Sequence, residues 1–276
     1  MEQSIKILGI ARAPRFSPNS VVKDRQILEA VMRHYGGDIV LESALTHDLL
    51  QGVTHVFSMG REQRTLALLA EAERRGIWVM NPPEGVAHCR RDELSKLMAQ
   101  TGIPVPGEVG EHGVWLKRTG TTEQEEDVVF CTDEAQLSLA KRRFAERGIT
   151  KYVVQAHLPG DEVKFYGVEG TGFFRIFYTG KDVVGKFGAQ RVNGKPSYTP
   201  FRKELLQETA EFLSRRAHVP IYGGDAIITD DGKFYIIDFN DWPSYSRCRE
   251  EAASAMTRLP GLPQSSPSAR LRGMEL

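Results

Sequence analysis

Between Tyr222 and Asn240 two apolar runs flank Asp231-Gly232. Asp-Gly between alternating apolar residues is the strongest short-range hairpin signal. A two-residue loop there opposes Asp230 to Lys233 and, further along, Asp225 to Asp238. Side chains alternate along a strand, so Asp238 and Asn240 share one face. Ala226, Ile228, Tyr235, Ile237 and Phe239 then form the other face, which suits a core. Carboxylates opposed across two strands sit about 5 Å apart and repel. Two carboxylates and an amide oxygen are hard ligands, the set that suits Mg²⁺ or Mn²⁺ held jointly with substrate phosphates. The alternative is a solvent-exposed acidic hairpin face with a different loop register.

The elements that must position this hairpin fall into two groups. Strands over 5–11, 38–42, 54–58 and 76–80 alternate with helices from about Val21 to Tyr35 and from Glu62 to Arg75, with Ser20 as the first N-cap. That alternation predicts a small parallel α/β sheet over residues 1–85. Ligands bind such sheets at the strand C-termini. Arg12, Arg15, Ser17, Asn19 and Ser20 follow the first strand there, and Gly60 and Arg61 the third. These donors are candidate contacts for an anionic substrate; ordinary loop polarity is the alternative.

A helix from Arg90 stops at Gly102 with prolines beyond, the usual helix-stop grammar. Strands follow at 114–118, 128–130 and 151–155, with a helix from Glu134 to about Gly148 capped by Asp133. The segment 157–168 pairs with 172–178 as a hairpin, and a helix spans Lys203 to Ala217. Residues 180–200 are Gly-rich and basic, which suits a mobile loop. A last helix runs from Ser246 to about Leu259, and 260–276 reads as a disordered tail.

Lys+Arg and Asp+Glu are both 36 in 276 residues, so bulk attraction to nucleic acid or an anionic membrane is not expected. The three cysteines, Cys89, Cys131 and Cys248, are scattered without a CxxC, which argues against disulfides or a zinc site. No signal peptide opens the chain, and no apolar run reaches the roughly 18 residues of a membrane span. A cytoplasmic protein is expected, with a small anionic molecule as partner and, at most, a second copy in a homodimer.

Taken together, the helix before Gly-Ile-Pro-Val-Pro, the strand around Lys117, the stretch Val-Val-Gln-Ala-His-Leu-Pro-Gly and the strand Asp238-Phe-Asn240 with Asp225 upstream stand in a recognisable order. The chain resembles the ATP-grasp superfamily, near its glutamate-ligase and inositol-phosphate-kinase branches, over residues 1 to about 258. The resemblance implies an α/β plus α+β architecture. Its parts are a pre-ATP-grasp domain (1–85), a connecting helix and linker (86–113), a nucleotide lobe (114–158), a metal-binding lobe (159–259) and a tail (260–276). It implies ATP between two antiparallel lobes, with Mg²⁺ (or Mn²⁺) held by Asp225, Asp238 and Asn240. Lys117 matches the lysine on the α- and β-phosphates. Gln155, Ala156, His157 and Leu158 match the adenine hinge, Asp161 or Glu162 the ribose acid, and Lys164 a basic residue after the hinge. Arg91 stands where the family has a lysine. The loop 119–127, glycine-rich in the family, is acidic and glycine-poor here.

The resemblance implies an ATP-dependent carboxylate–amine ligase proceeding through an acyl phosphate, with Arg175, Lys186 and Arg191 steadying the transferred phosphoryl group. The alternatives are a small-molecule kinase with the same ATP site and a non-catalytic nucleotide-binding protein. Such chemistry needs charge neutralisation on phosphates more than a protein nucleophile. That fits a sequence with no convincing Ser-His-Asp or Cys-His signature.

Overall fold

The structure is a computed structural model describing residues 5–119, 125–179 and 190–262. Strands β1 (Ile7–Ala11), β2 (Asp38–Leu41), β3 (His55–Ser58) and β4 (Trp78–Met80) form a parallel sheet in the order β2-β1-β3-β4. Every residue of β1 is buried, as expected for a central strand covered on both faces. Helix α1 (Val21–Met32) packs Ile27 and Val31 with Ile7 and Ala11 on one side. Helix α2 (Gln63–Arg74) packs Leu69 and Ala72 with Leu8 and Ile10 on the other. Ser20 occupies the N-cap of α1, but its hydroxyl makes no cap bond.

A short helix, α3 (Pro83–His88), begins where the sequence suggested only a strand end, with Pro83 in the first turn. Helix α4 (Arg91–Thr101) then stops at Gly102 in the left-handed conformation. Strands β5 (Val114–Arg118), β6 (Val128–Cys131) and β7 (Tyr152–Ala156) make an antiparallel sheet in the order β6-β5-β7. It packs Leu116 and Cys131 on α5 (Glu134–Glu146) through Leu137 and Phe144. Asp133 caps α5, accepting the Gln136 N–H at 2.9 Å.

Strands β8 (Asp161–Val168), β9 (Phe173–Tyr178), β10 (Ile221–Ile228) and β11 (Phe234–Asp241) form a second antiparallel sheet, β11-β10-β8-β9. A single turn, α6 (Gln190–Asn193), precedes α7 (Lys203–Ala217). Val163, Phe165, Ala226 and Phe239 pack one face of this sheet on α4 and α7. Tyr166, Val168 and Ile221 pack the other face on α1 and α8 (Arg249–Met256), in the core shared with the parallel sheet. The Asn81 side chain stitches the same junction, donating to the Ile221 carbonyl at 2.8 Å and accepting its N–H at 2.9 Å. Among the described residues no helix is long and apolar enough to cross a membrane.

The β10–β11 hairpin differs from its expected register in two places. Its loop has three residues: the Thr229 N–H donates to the Lys233 carbonyl at 2.9 Å, and Gly232 takes φ +76°. Ile228 therefore pairs with Phe234 and Ala226 with Ile236, and the expected Asp230–Lys233 pair does not form. A bulge at Ile237 takes up the extra residue, so Asp225 still opposes Asp238. The faces change with it: Phe234 and Ile236 lie in the core, while Tyr235 and Ile237 do not. Gly224 is required beside the bulge, because a Cβ there would stand 2.3 Å from the Asp238 carbonyl oxygen.

The C-terminal segment is also corrected. Residues 260–262 pack: Trp78 Nε1 donates to the Pro260 carbonyl, His55 Nε2 to the Gly261 carbonyl (both 3.0 Å), and Leu262 joins the shared core. The rest of the expected tail, 263–276, lies outside the described residues.

Candidate active site

A cavity of about 970 Å³ lies between the two antiparallel sheets and runs on past the ends of the parallel strands. At one end it is bounded by the end of β7 (Gln155, Ala156, His157, Leu158), with apolar walls from Trp115, Val128, Ile227 and Ile237. Two backbone donors of this stretch are engaged within the chain: Ala156 N–H on the Gly107 carbonyl (2.6 Å) and His157 N–H on that of Gly113 (2.9 Å). The His157 ring accepts from Trp115 Nε1 at 3.2 Å.

Lys117 reaches into the cavity from β5, hydrogen-bonding to the Gln155 side chain and, at 3.5 Å, to the carbonyl of the bulged Ile237. Burial, reinforced by neighbouring Arg91, pushes its pKa down to about 8. Arg91, the first residue of α4, donates to the Arg118 carbonyl and lines the same end. On β8, alternation places Glu162 and Lys164 together on the cavity face. Burial, then the Asp225 charge, pushes Glu162 up to about 7 against the opposing pull of Lys164 and Lys117. Lys164 bonds Asp225 at 2.7 Å; burial opposes its charge, but Asp225 and Glu162 outweigh burial and raise its pKa. Asp225 and Asp238 face each other on adjacent strands, and with Asn240 they line the cavity.

The inner end is built around Asp241, which is 1% exposed. Arg12 donates to its carboxylate (3.3 Å), to the Asp241, Trp242 and Met59 carbonyls (3.3, 3.1 and 3.2 Å) and to Asp24 (3.2 Å). Arg61 donates to the same carboxylate at 2.5 and 3.3 Å and to the Asp241 carbonyl at 3.2 Å. Glu42 accepts the backbone N–H groups of Ala13, Arg61 and Glu62, which fixes both arginine-bearing loops. Cys89 faces this cluster, and burial, then the Asp241 charge, holds its thiol well above the ordinary range.

No family model and no curated protein sequence matches the chain. Solved structures do. The structure of D-alanine–D-alanine ligase from Bacillus anthracis complexed with ATP superimposes with a TM-score of 0.64, at 12% identity, over 92% of each chain. A RimK domain ATP-grasp protein from Sphaerobacter thermophilus gives 0.61 at 21% identity, over 91% of this chain and 97% of that one. N5-carboxyaminoimidazole ribonucleotide synthetase from Thermotoga maritima gives 0.60 at 14% identity, over 95% of this chain and 78% of that one.

The chain has the ATP-grasp fold. Within that ATP-grasp frame Lys117, Gln155, Ala156, His157, Leu158, Glu162, Lys164, Arg91, Asp225, Asp238 and Asn240 all line one cavity. Asp161 does not: it is buried and accepts the N–H groups of Ser197 (2.6 Å) and Thr199 (2.7 Å). Of the two candidate ribose acids, only Glu162 borders the ATP-grasp cavity.

The expected phosphoryl and substrate contacts fare differently. Arg175 is exposed on β9 and pairs with Glu251 of α8, away from the cavity. Its strand position opposes Tyr166, where α8 covers the sheet. Arg15 is exposed, pairs with Glu62 and, like exposed Asn19, does not line the cavity. Ser17 does line it, whereas Arg12 and Arg61 reach it with guanidiniums committed to Asp241. Lys186 and the side chain of Arg191 lie outside the described residues. Sequence reasoning missed Asp241 and Ile237. An acid directly after Asn240, with two arginines at parallel-strand ends, was the available signal for the first; a bulge left none for the second.

Proposed function

We propose that the chain is an ATP-dependent ligase that activates a small-molecule carboxylate as an acyl phosphate for attack by an amine. One observation carries this reading. Lys117, Lys164, Asp225, Asp238 and Asn240 converge on a cavity whose other walls include the apolar end of β7. The solved structures of like fold named above include a ligase and a synthetase. Trp115, Val128, Ile227 and Ile237 would pack on the base, Glu162 would meet the ribose, and Lys117 and Arg91 would neutralise phosphate charge. Base recognition cannot draw on the Ala156 and His157 N–H groups, which the chain already uses.

The metal expected for such chemistry fits the residues present. Asp225 and Asp238 are opposed, Asn240 shares their face, and Lys164 places an ammonium against Asp225 where positive charge is favoured. Among the described residues no cluster of three His, Cys, Asp or Glu side chains forms a self-sufficient metal site, so ATP phosphates would complete the shell. Mg²⁺ bound there would supply charge neutralisation at the transferring phosphoryl group. A substrate carboxylate oxygen bonds the γ-phosphorus as the bridging P–O bond breaks and ADP leaves. The amine nitrogen then attacks the acyl carbon, phosphate departs, and the amine loses a proton.

Hydroxylamine tests this directly. With ATP, Mg²⁺ and a panel of carboxylic acids, the ligase should yield a hydroxamate and ADP in equal amounts. A stable phosphate ester of an alcohol, with no hydroxamate, would instead establish a kinase.

A further inference from the structure

We infer that the carboxylic acid substrate carries an uncharged, apolar far end, seated in a cleft between α2 and α3. The inference rests on the ligase reading and names the class of acid it would take. Ligand pockets span about 300–1,000 Å³. This one, at about 970 Å³, stands at the upper end of that range and is lined by α2 and α3 as well as by the Asp241 cluster. Its extension is walled mainly by Leu66, Ala67 and Ala70 of α2 and by Pro83, Val86 and Ala87 of α3, with exposed Gln63 and Glu84 of the same helices also lining it; the Glu84 carboxylate disfavours a second anion there. The two cations beside Asp241 are committed within the chain, and exposed Arg90, which also lines the cavity, lies 3.7 Å from Asp92. Arg12 is fully engaged with Asp24, Asp241 and three carbonyls, and Arg61 with Asp241. Asp24 and Asp241 match the two guanidiniums in charge, so recruiting either arginine would leave a buried carboxylate uncompensated. The branch therefore discriminates by burying hydrocarbon.

Two acid series test this in the hydroxylamine assay: straight-chain monocarboxylates, and dicarboxylates of matching length. Each methylene added to the monocarboxylates should raise kcat/KM about fourfold until the cleft is filled. Dicarboxylates should lag their monocarboxylate counterparts by at least tenfold. Ala70→Trp, which fills the cleft from an element outside the nucleotide end, should abolish the chain-length gain while calorimetric ATP affinity stays unchanged. A flat chain-length series, or dicarboxylates preferred over monocarboxylates, would overturn the inference. If no acid is turned over, the ligase reading fails, and decanoate binding still reads the cleft. A thermal shift in the wild type that Ala70→Trp removes supports it; no shift, or equal shifts in both proteins, refutes it.

Discussion

Asp225 and Asp238 oppose each other across one strand pair, and Lys164, 2.7 Å from Asp225, offsets part of their repulsion. Replacing Asp238 with Asn removes one charge from a repelling pair, so the fold should survive, with a melting temperature within about 2 °C of wild type. Mg²⁺-dependent ATP turnover should fall on the order of 100-fold. Undiminished turnover in Asp238→Asn would remove this residue from the site. Lys117 makes a pH-dependent prediction. Burial lowers its pKa to about 8, so its charge is lost as pH rises through that value. Phosphates bound beside it favour the ammonium and raise that pKa. ATP binding should therefore take up protons near pH 8, and affinity should weaken between pH 7 and 9. Titration calorimetry in buffers of different ionisation heat measures the uptake, and its absence would place the phosphates elsewhere.

Strand alternation accounts for both the successes and the failures among the elements. It requires Asp161 and Glu162 to point to opposite faces, but the sequence left open which of the two would meet a ligand. Which face looks onto the cavity depends on the 197–199 backbone docking on Asp161, and that was not legible locally. The two acids should behave oppositely. Asp161→Ala orphans two backbone donors and should cost about 2 kcal/mol in urea unfolding. Glu162→Gln should leave stability intact and weaken ATP binding instead. Equal effects on stability would mean that the assignment of faces is wrong. The hairpin carries a different lesson. Asp225 and Asp238 do oppose each other, but through two compensating offsets, a longer loop and a bulge, neither of which the Asp-Gly signal encodes.

At the scale of the whole molecule, the order of helices and strands was legible because periodicity and caps are local. Partners across the chain were not. Arg12 and Arg61 stood where a substrate contact was expected, and nothing nearby in sequence shows that Asp241 comes to rest between them. Asp241→Asn should destabilise the fold by about 3–5 kcal/mol, the cost of breaking a buried pair from one side. Denaturant unfolding checks this; a loss under about 1 kcal/mol would mean that water solvates the cluster. The C-terminal contacts allow a finer test. A chain ending at Leu259 should lose about 2 kcal/mol relative to one ending at Leu262, because two hydrogen bonds and an apolar contact disappear.

The position of Asp241 also bears on how the chain is made. Translation delivers both arginine-bearing loops first and their shared carboxylate some 180 residues after Arg61. Until then the nascent N-terminal sheet must either hold two guanidiniums out of water with Asp24 paired to Arg12 and only Glu42 besides, or stay open. The order of synthesis thus opposes the order of assembly. The first 85 residues, though they read as a domain, are completed by a residue that leaves the ribosome long after them.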